Sequence, residues 1–306
     1  MFVRHRLLSL GSYLVYPCIF VGAFIAVILA HGRPLALAAV LVTSAALVTA
    51  LERLFPVTPR WNDDHEDTRA DRLYLVTNLG VSQIAACGVG LLGERSAMLA
   101  LWPTSLPFAA QVLLALFVVD LGLYAVHRAS HGTRWLWKLH AIHHFPRRIH
   151  WVNGQRRHVL HELLEGAPGL LVLTALGAKG PTVAAALAMV TVHLLLQHAN
   201  VRYRGGALRH VFAVAELHRW HHQRRYAAVQ GNYAAVFSLW DRLFGSALPE
   251  GEASLEVGID DEPTLREGWR AQLLWPFRRG AAHHAVPIEP AQDRRESDED
   301  EAPLRE

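Results

Sequence analysis

The sequence predicts an all-α protein, a polytopic membrane helical bundle with a cytosolic histidine-rich cap. Three observations predict it: the 306 residues are 52% apolar and only 19% charged, four long apolar runs occur in the first half, and 19 residues are histidine. Average soluble proteins contain about 25% charged residues. The two cysteines exclude a disulfide scaffold and a cysteine-rich zinc module. The net charge of +3 gives no indication of nucleic-acid binding.

Four apolar runs are long enough to cross a bilayer, which requires about 20 residues. The first two contain no charged residue, the third has only neutral polar interruptions, and the fourth carries one charge, Asp120. They cover residues 12–30, 34–51, 73–92 and 106–126. Two weaker runs, 159–176 and 181–196, are interrupted by histidine or glutamate. These two predict further spans, a re-entrant hairpin or buried core helices.

Lysine and arginine are concentrated on one side of the predicted spans. Four arginines lie in residues 53–72 and seven basic residues in 127–157, whereas the intervening loops contain only Arg33 and Arg95. Cytoplasmic loops of membrane proteins carry such an excess of basic residues. We therefore expect the N-terminus, the 53–72 loop and the histidine-rich part of the chain to be cytoplasmic.

Fourteen of the 19 histidines lie between His127 and His222, and their spacing is typical of ligands on helices. His127 and His131 are spaced i, i+4, directly after the fourth run. Two further boxes have the spacing i, i+3, i+4, which brings three imidazoles to one side of a helix. These boxes are His140, His143 and His144, and His218, His221 and His222; His198 follows the second weaker run.

Three histidine boxes indicate a metal site, but all-nitrogen ligand sets suit zinc, copper, iron and nickel alike. A structural zinc takes four ligands and a catalytic zinc about three. Eight histidines in three boxes therefore predict two ions. The boxes lack the Glu-x-x-His pairs of carboxylate di-iron bundles. They also lack the HExxH motif of zinc proteases.

In this order, the motifs resemble those of the membrane fatty acid hydroxylase/sterol desaturase superfamily of histidine-ligated di-iron oxygenases. The resemblance covers about residues 120–245 and includes DLGLYAVHRASH, LHAIHHFPRRIHWVNGQRRH, QHANVR and LHRWHHQRRYAAVQGNYAAVFSLWDRLFG. The closing stretch, with Asn232, Trp240 and Asp241, is as diagnostic as the boxes. Many members follow the second box with an Arg-x-His-Pro-x-Glu-like stretch, where this chain has RRHVLH from residue 156.

The resemblance implies that the boxes bind two iron ions at the end of a membrane-embedded bundle. The ligands that it implies are His127, His131, His140, His143, His144, His198, His218, His221 and His222. His158 is a tenth candidate, in the stretch where the chain departs from the pattern.

Three residues are candidates for catalytic roles: Asp120, Tyr124 and Asn232. A carboxylate inside a span is costly and functional by default. Asp120 shares a helical stripe with Tyr124, His127 and His131. Because Asp120 lies ~10 Å along the axis from His127, it would orient a histidine of another box, or else pair with an arginine near the membrane edge. Asn232 belongs to the closing stretch of the resemblance.

The resemblance implies an oxygenase that hydroxylates or desaturates a lipid C–H bond, with O2 as co-substrate. The chain has no Rossmann glycine fingerprint, cytochrome b5-like domain or iron–sulfur cysteine motif. Electrons would therefore come from a separate cytochrome b5- or ferredoxin-like protein. A metal transporter, which would spread ionisable residues through several spans, and a zinc-dependent membrane hydrolase, which would need a carboxylate in a box, are the alternatives.

The chain divides into four predicted parts. Residues 1–105 contain the N-terminal transmembrane helices and a cytosolic loop, and residues 106–250 form the di-iron catalytic domain. Residues 251–282 are a cytosolic C-terminal segment. Residues 283–306 are rich in proline and charged residues and have almost no large apolar residue, so this acidic tail is predicted to be disordered.

Overall fold

The structure is a computed structural model that describes residues 2–95, 99–224, 230–248, 255–259, 265 and 267–278. Within these residues the chain forms ten α-helices and no strand, which confirms the all-α prediction. Seven helices are long: α1 Phe2–Ala30, α2 Pro34–Leu54, α3 Thr68–Arg95, α4 Phe108–Gly132, α5 Arg134–His144, α6 Val159–Leu176 and α7 Gly180–Gln197. Three are short: α8 Ala215–His221, α9 Leu239–Leu243 and α10 Trp269–Leu274. The predicted disordered tail lies outside the described residues.

The turns after α1 and α3 lie at one end of the bundle, which we call the far end. The His31 ring, just after α1, packs against Phe108 at the start of α4, with 4.2 Å between ring centroids. Leu99, between α3 and α4, donates its N–H to the carbonyl of Ala175 at the end of α6 at 3.1 Å. The helices α1, α3 and α6 therefore end where α4 begins.

The opposite end holds the histidine boxes, and we call it the histidine end. The Glu52 carboxylate, near the end of α2, accepts N–H groups from Trp151 and Asn200, each at 2.9 Å. Arg204 donates its N–H to the carbonyl of Ser12, in the first half of α1, at 3.1 Å. The segments that follow α5 and α7 thus meet α1 and α2 here. All the long helices except α5 run alternately between the two ends, and the three boxes meet at the histidine end.

In the described part of the chain, five helices are long and apolar enough to cross a membrane: α1, α2, α4, α6 and α7. The chain is an integral multi-pass membrane protein. The outer faces of α1 and α2 expose large apolar side chains, such as Leu29 at 71% and Leu35 at 88%. Such surfaces are stable against lipid rather than water. Both weaker sequence runs, in α6 and α7, are among the five.

The third predicted span, residues 73–92, lies in α3 and extends beyond the side chains that the structure describes, so it stays a prediction. Two polar side chains of α3 contact residues at the histidine end. The Asn78 amide donates to the carbonyls of Gln155 and Arg157 at 2.8 and 3.0 Å, and the Ser82 hydroxyl donates to Glu162 at 2.7 Å. α3 runs beside α6 between the same two ends.

Two glycines let α4 and α6 approach closely. A Cβ added to Gly122 would lie 2.7 Å from the backbone nitrogen of Gly169, and one added to Gly169 would lie 2.6 Å from the Cα of Val119. Larger residues would force the helices apart, since such contacts are far inside van der Waals distance. This crossing holds the histidines at the end of α4 beside the first turns of α6.

Candidate metal centre

Nine of the ten predicted ligands meet in two groups of buried imidazoles. Within each group, one ring nitrogen per histidine lies within 4.8 Å of the others. The five-histidine cluster consists of His127, His131, His140, His144 and His221, and the four-histidine cluster consists of His143, His198, His218 and His222. The two groups match the prediction of two ions, each with at least four imidazoles.

Helical spacing explains how the boxes divide between the clusters. In α5, His140 and His144 are one turn apart and share the five-histidine cluster, whereas His143 belongs to the other. In the α8 box the division is reversed, because the i, i+4 pair joins the four-histidine cluster and His221 joins the five-histidine one. Each HxxHH box therefore supplies both clusters, which fixes the two sites side by side.

The ring nitrogens converge as a metal site requires. In the five-histidine cluster, Nε2 of His127 lies 2.9 Å from Nε2 of His221. In the four-histidine cluster, Nε2 of His218 lies 2.9 Å from Nε2 of both His198 and His222. Neutral imidazoles point lone pairs into such a space, and a cation there satisfies all of them together. The donor set therefore fits two transition-metal ions.

Some cluster histidines lie outside the membrane-spanning helices, and burial keeps their imidazoles in the neutral form that binds metal. It lowers the pKa of His140, His143, His144, His218 and His222 well below the usual value, and neighbouring imidazoles lower it further. Burial, with the charge of Arg157, lowers the pKa of His198 to about 3. These rings are neutral at neutral pH, and only neutral imidazole coordinates a metal ion.

Backbone carbonyls orient at least three of the rings. His127 Nδ1 donates to the carbonyl of Tyr233 at 2.7 Å and His221 Nδ1 to that of Gly231 at 2.8 Å. His198 Nδ1 lies 3.1 Å from the carbonyl of Leu194, one turn earlier. A hydrogen bond at Nδ1 fixes the tautomer and leaves Nε2 for the metal.

Gly154 gives His198 its place in the four-histidine cluster. A Cβ at this position would lie 2.8 Å from His198 Cγ and 2.9 Å from Nδ1. No side chain larger than hydrogen fits between the 3₁₀ helix Trp151–Gln155 and the imidazole. Sequence reasoning did not single out this glycine, because the contact joins residues far apart in the chain.

His158 does not join either cluster. It precedes α6 as its N-cap, where Nδ1 accepts the N–H of Leu160 at 3.1 Å. Its Nε2 lies 3.1 Å from the carbonyl of Leu273. Both ring nitrogens are thus engaged by backbone groups, which differs from the ligand role considered for this residue.

Asp120 holds the closing stretch rather than a histidine. Its carboxylate is fully buried and accepts the N–H groups of Val236 at 2.7 Å and Phe237 at 2.8 Å. It also accepts the indole N–H of Trp240 at 2.9 Å. The expectation that it orients a histidine or pairs with an arginine is replaced by these three bonds, which tie residues 236–240 to α4.

Tyr124 also contacts the closing stretch. Its hydroxyl lies 2.8 Å from the Ser246 hydroxyl and accepts a hydrogen bond from Arg128 at 2.9 Å. The ring stacks on Phe244 with 5.5 Å between centroids. These contacts place Tyr124 in the packing of α4 against the C-terminal part of the stretch.

Asn232 forms a turn in the same stretch. Its φ of 54° lies in the left-handed region, which asparagine adopts more readily than most residues. Its side-chain amide donates to the carbonyl of Leu217 at 3.0 Å and accepts the N–H of Leu248 at 3.0 Å. Its contacts fasten backbone segments, so a structural role explains it, and the catalytic role stays a prediction.

His161 and Glu165 of α6 lie beside the clusters, a proximity that sequence reasoning missed. Ser130 donates its hydroxyl to the carbonyl of Val126 at 2.7 Å and therefore accepts from His161 Nε2 at 2.9 Å. His161 Nδ1 faces the Glu165 carboxylate at 3.5 Å, and Arg157 lies 3.2 Å from the same oxygen. His140, His161 and Glu165 form a third group of possible ligands. The i, i+4 spacing of His161 and Glu165 in α6 was the sequence feature that could have indicated this group.

A small cavity adjoins both clusters. Its wall combines histidines of each cluster with the Arg157–Glu165 pair and a set of apolar or small residues. The apolar lining consists of Leu123, Leu194, Ala234 and Ala235. The cavity therefore brings apolar side chains next to histidines of both clusters.

Comparison with known proteins gives a consistent result. A family model described as fatty acid hydroxylase matches residues 112–246. The chain is 34% identical over 250 residues to the ornithine lipid hydroxylase OlsE of Rhizobium tropici, which covers 78% of this chain and 75% of that protein. No solved structure shows a significant match.

Alkylglycerol monooxygenases are more distant relatives. The protein from Danio rerio is 27% identical over 168 residues, 53% of this chain and 36% of the relative. The protein from Homo sapiens is 29% identical over 140 residues, 44% of this chain and 30% of the relative. The chain therefore spans only about a third of these monooxygenases.

Proposed function

The chain belongs to the fatty acid hydroxylase family, and from this premise we propose that it is a membrane hydroxylase that uses two iron ions and O2 to oxidise a lipid C–H bond. One observation carries the proposal. Five and four buried imidazoles converge at one end of a membrane bundle and border a small cavity whose wall is partly apolar. This arrangement supports oxidation of an apolar substrate at a metal pair.

The proposed ligands are the nine clustered histidines, without His158. Two iron ions bound by them would supply the activation of O2 that lets an unreactive C–H bond become C–OH. The overall reaction converts R–H, O2, two electrons and two protons into R–OH and water. The electrons come from a separate cytochrome b5- or ferredoxin-like donor, since no such module is recognisable in the sequence.

The chain's own residues position the substrate and exclude water. Leu123 from α4 and Leu194 from α7 line the cavity that we assign to the lipid, and both helices are apolar enough to span the membrane. We expect a lipid tail to reach this cavity from the bilayer, between helices. The names of the relatives, ornithine lipid hydroxylase and alkylglycerol monooxygenase, support a lipid with a polar head group and support hydroxylation over desaturation.

Lipid analysis after growth under isotopically labelled O2 tests this function. Cells that express the chain should contain a lipid whose mass is increased by one labelled oxygen atom. Cells that express His222→Ala, which removes one proposed ligand, should lack it. An unlabelled product released by zinc-dependent cleavage of a lipid would instead favour the hydrolase alternative.

We place the histidine end on the cytoplasmic side because the basic residues are concentrated there. A reporter fused after Gly245 should remain in the cytoplasm. A reporter inserted after Lys179, in the turn between α6 and α7 at the far end, should be exported. The reverse pattern would contradict this topology.

A further inference from the structure

We propose that Asp241 is a positioning residue of the five-histidine cluster, acting on His127 through the peptide group between Tyr233 and Ala234. The inference rests on the proposed function, because it concerns the ion that this cluster would bind. Asp241 lies in α9, and the stretch that contains it connects to the cluster through backbone groups.

The Tyr233–Ala234 peptide group has a partner at each end. Its N–H, which belongs to Ala234, donates to Asp241 Oδ2 at 2.9 Å. Its C=O, which belongs to Tyr233, accepts from His127 Nδ1 at 2.7 Å. A planar trans peptide keeps N–H and C=O on opposite sides, so the carboxylate determines where the carbonyl points. All four residues are buried.

The other carboxylate oxygen of Asp241 makes two further hydrogen bonds, which fix the orientation of the carboxylate. Asp241 Oδ1 accepts the N–H of Tyr233 at 2.8 Å and the Ser246 hydroxyl at 2.7 Å. Metal-bound histidines usually donate their second N–H directly to a carboxylate or carbonyl, which raises ligand basicity. Here a polarised peptide lies between carboxylate and imidazole, and hydrogen bonds in such a chain strengthen one another.

His221 also donates to a carbonyl of the stretch, but the peptide group of that carbonyl contacts a neutral partner. It bonds to Gly231, and the N–H of the same peptide group, on Asn232, donates to the neutral carbonyl of Ser246 at 2.8 Å. The Asp241 carboxylate therefore acts on the peptide group that accepts from His127, and not on the peptide group that accepts from His221.

Asp120 provides a matched comparison within the same stretch. It is equally buried and also accepts two backbone N–H groups, from Val236 and Phe237. The carbonyls of those two peptide groups face Gln197 and the N–H of Ala213 instead of a histidine. Asp120 and Asp241 thus hold the same segment, but only Asp241 holds a peptide that contacts a cluster histidine.

Iron binding by Asp241→Asn and Asp120→Asn tests the inference. Asparagine keeps one oxygen for Tyr233 and Ser246 but turns an N–H group towards the N–H of Ala234. We expect the wild-type protein to bind two iron ions. Asp241→Asn should weaken one of them ~10–100-fold, the range for residues that support a ligand, and should alter one of two Mössbauer doublets. Asp120→Asn should lower the unfolding temperature and leave both iron affinities unchanged.

Two outcomes would overturn the inference while the proposed function stands. One is an Asp241→Asn protein with both affinities and both Mössbauer doublets as in the wild type. The other is equal weakening of both ions by Asp241→Asn and Asp120→Asn, which would reflect a general effect on the fold. A wild-type protein that bound no iron would instead overturn the proposed function, and this inference with it.

Discussion

His222→Ala is expected to lower lipid hydroxylation by at least ~100-fold, beyond the range for residues that only support a ligand, and to reduce bound iron to about one ion per chain. The four-histidine cluster would retain three imidazoles. The histidines of the five-histidine cluster cannot replace the missing one, because they converge on the other site. His144→Ala should also abolish activity but retain more iron, since four imidazoles remain in its cluster. Metal analysis and product formation measure both effects.

Histidines outside the clusters are the controls for this experiment. His65 is exposed and its Nε2 lies 2.9 Å from the carbonyl of Arg60. His65→Ala should change neither iron content nor turnover, and His283→Ala, in the predicted tail, should behave in the same way. A His144→Ala protein with normal iron and normal turnover would contradict the assignment of the site.

Asp71→Asn is expected to destabilise the protein by about 3–5 kcal/mol, the cost of removing one partner from a buried ion pair. Asp71 is completely buried and contacts Arg156 Nη1 at 3.0 Å and His150 Nε2 at 2.9 Å. Arg156 is also fully buried, and the change removes one of its two close carboxylate partners, leaving Glu267 at 2.9 Å. The network fastens α3 to the segment that leads into α6. Thermal unfolding in detergent measures the loss.

Asp64→Asn is the matched control for that measurement. Asp64 is exposed and accepts hydrogen bonds from the backbone and hydroxyl of Thr68. Asparagine can preserve both, so the unfolding temperature should not change. Equal unfolding temperatures for Asp71→Asn and the wild type would show that the buried network does not stabilise the histidine end.

Eight of the nine clustered histidines could be singled out from the sequence because their spacing is local, whereas His198 was implied by the family resemblance. The i, i+4 and i, i+3, i+4 patterns place imidazoles on one side of a helix whatever the tertiary structure. The division into two clusters was not accessible, since it depends on the angles at which α4, α5 and α8 meet. Glu165 was missed for the same reason: it approaches His140 from another helix.

Asp120 illustrates a limit of the one-dimensional view. Its position in an apolar run correctly indicated a special role, because a buried carboxylate requires hydrogen-bond donors. The sequence could not show that those donors are backbone groups of residues 236 and 237, more than a hundred positions later.

The iron content of the purified wild-type protein tests the central claim most directly. Protein loaded anaerobically with ferrous iron should bind two ions per chain, and O2 uptake should require a reductant. His222→Ala, measured in parallel, should bind about one ion. A wild-type protein that binds no iron, or that binds zinc in preference and consumes no O2 with a reductant, would contradict the account.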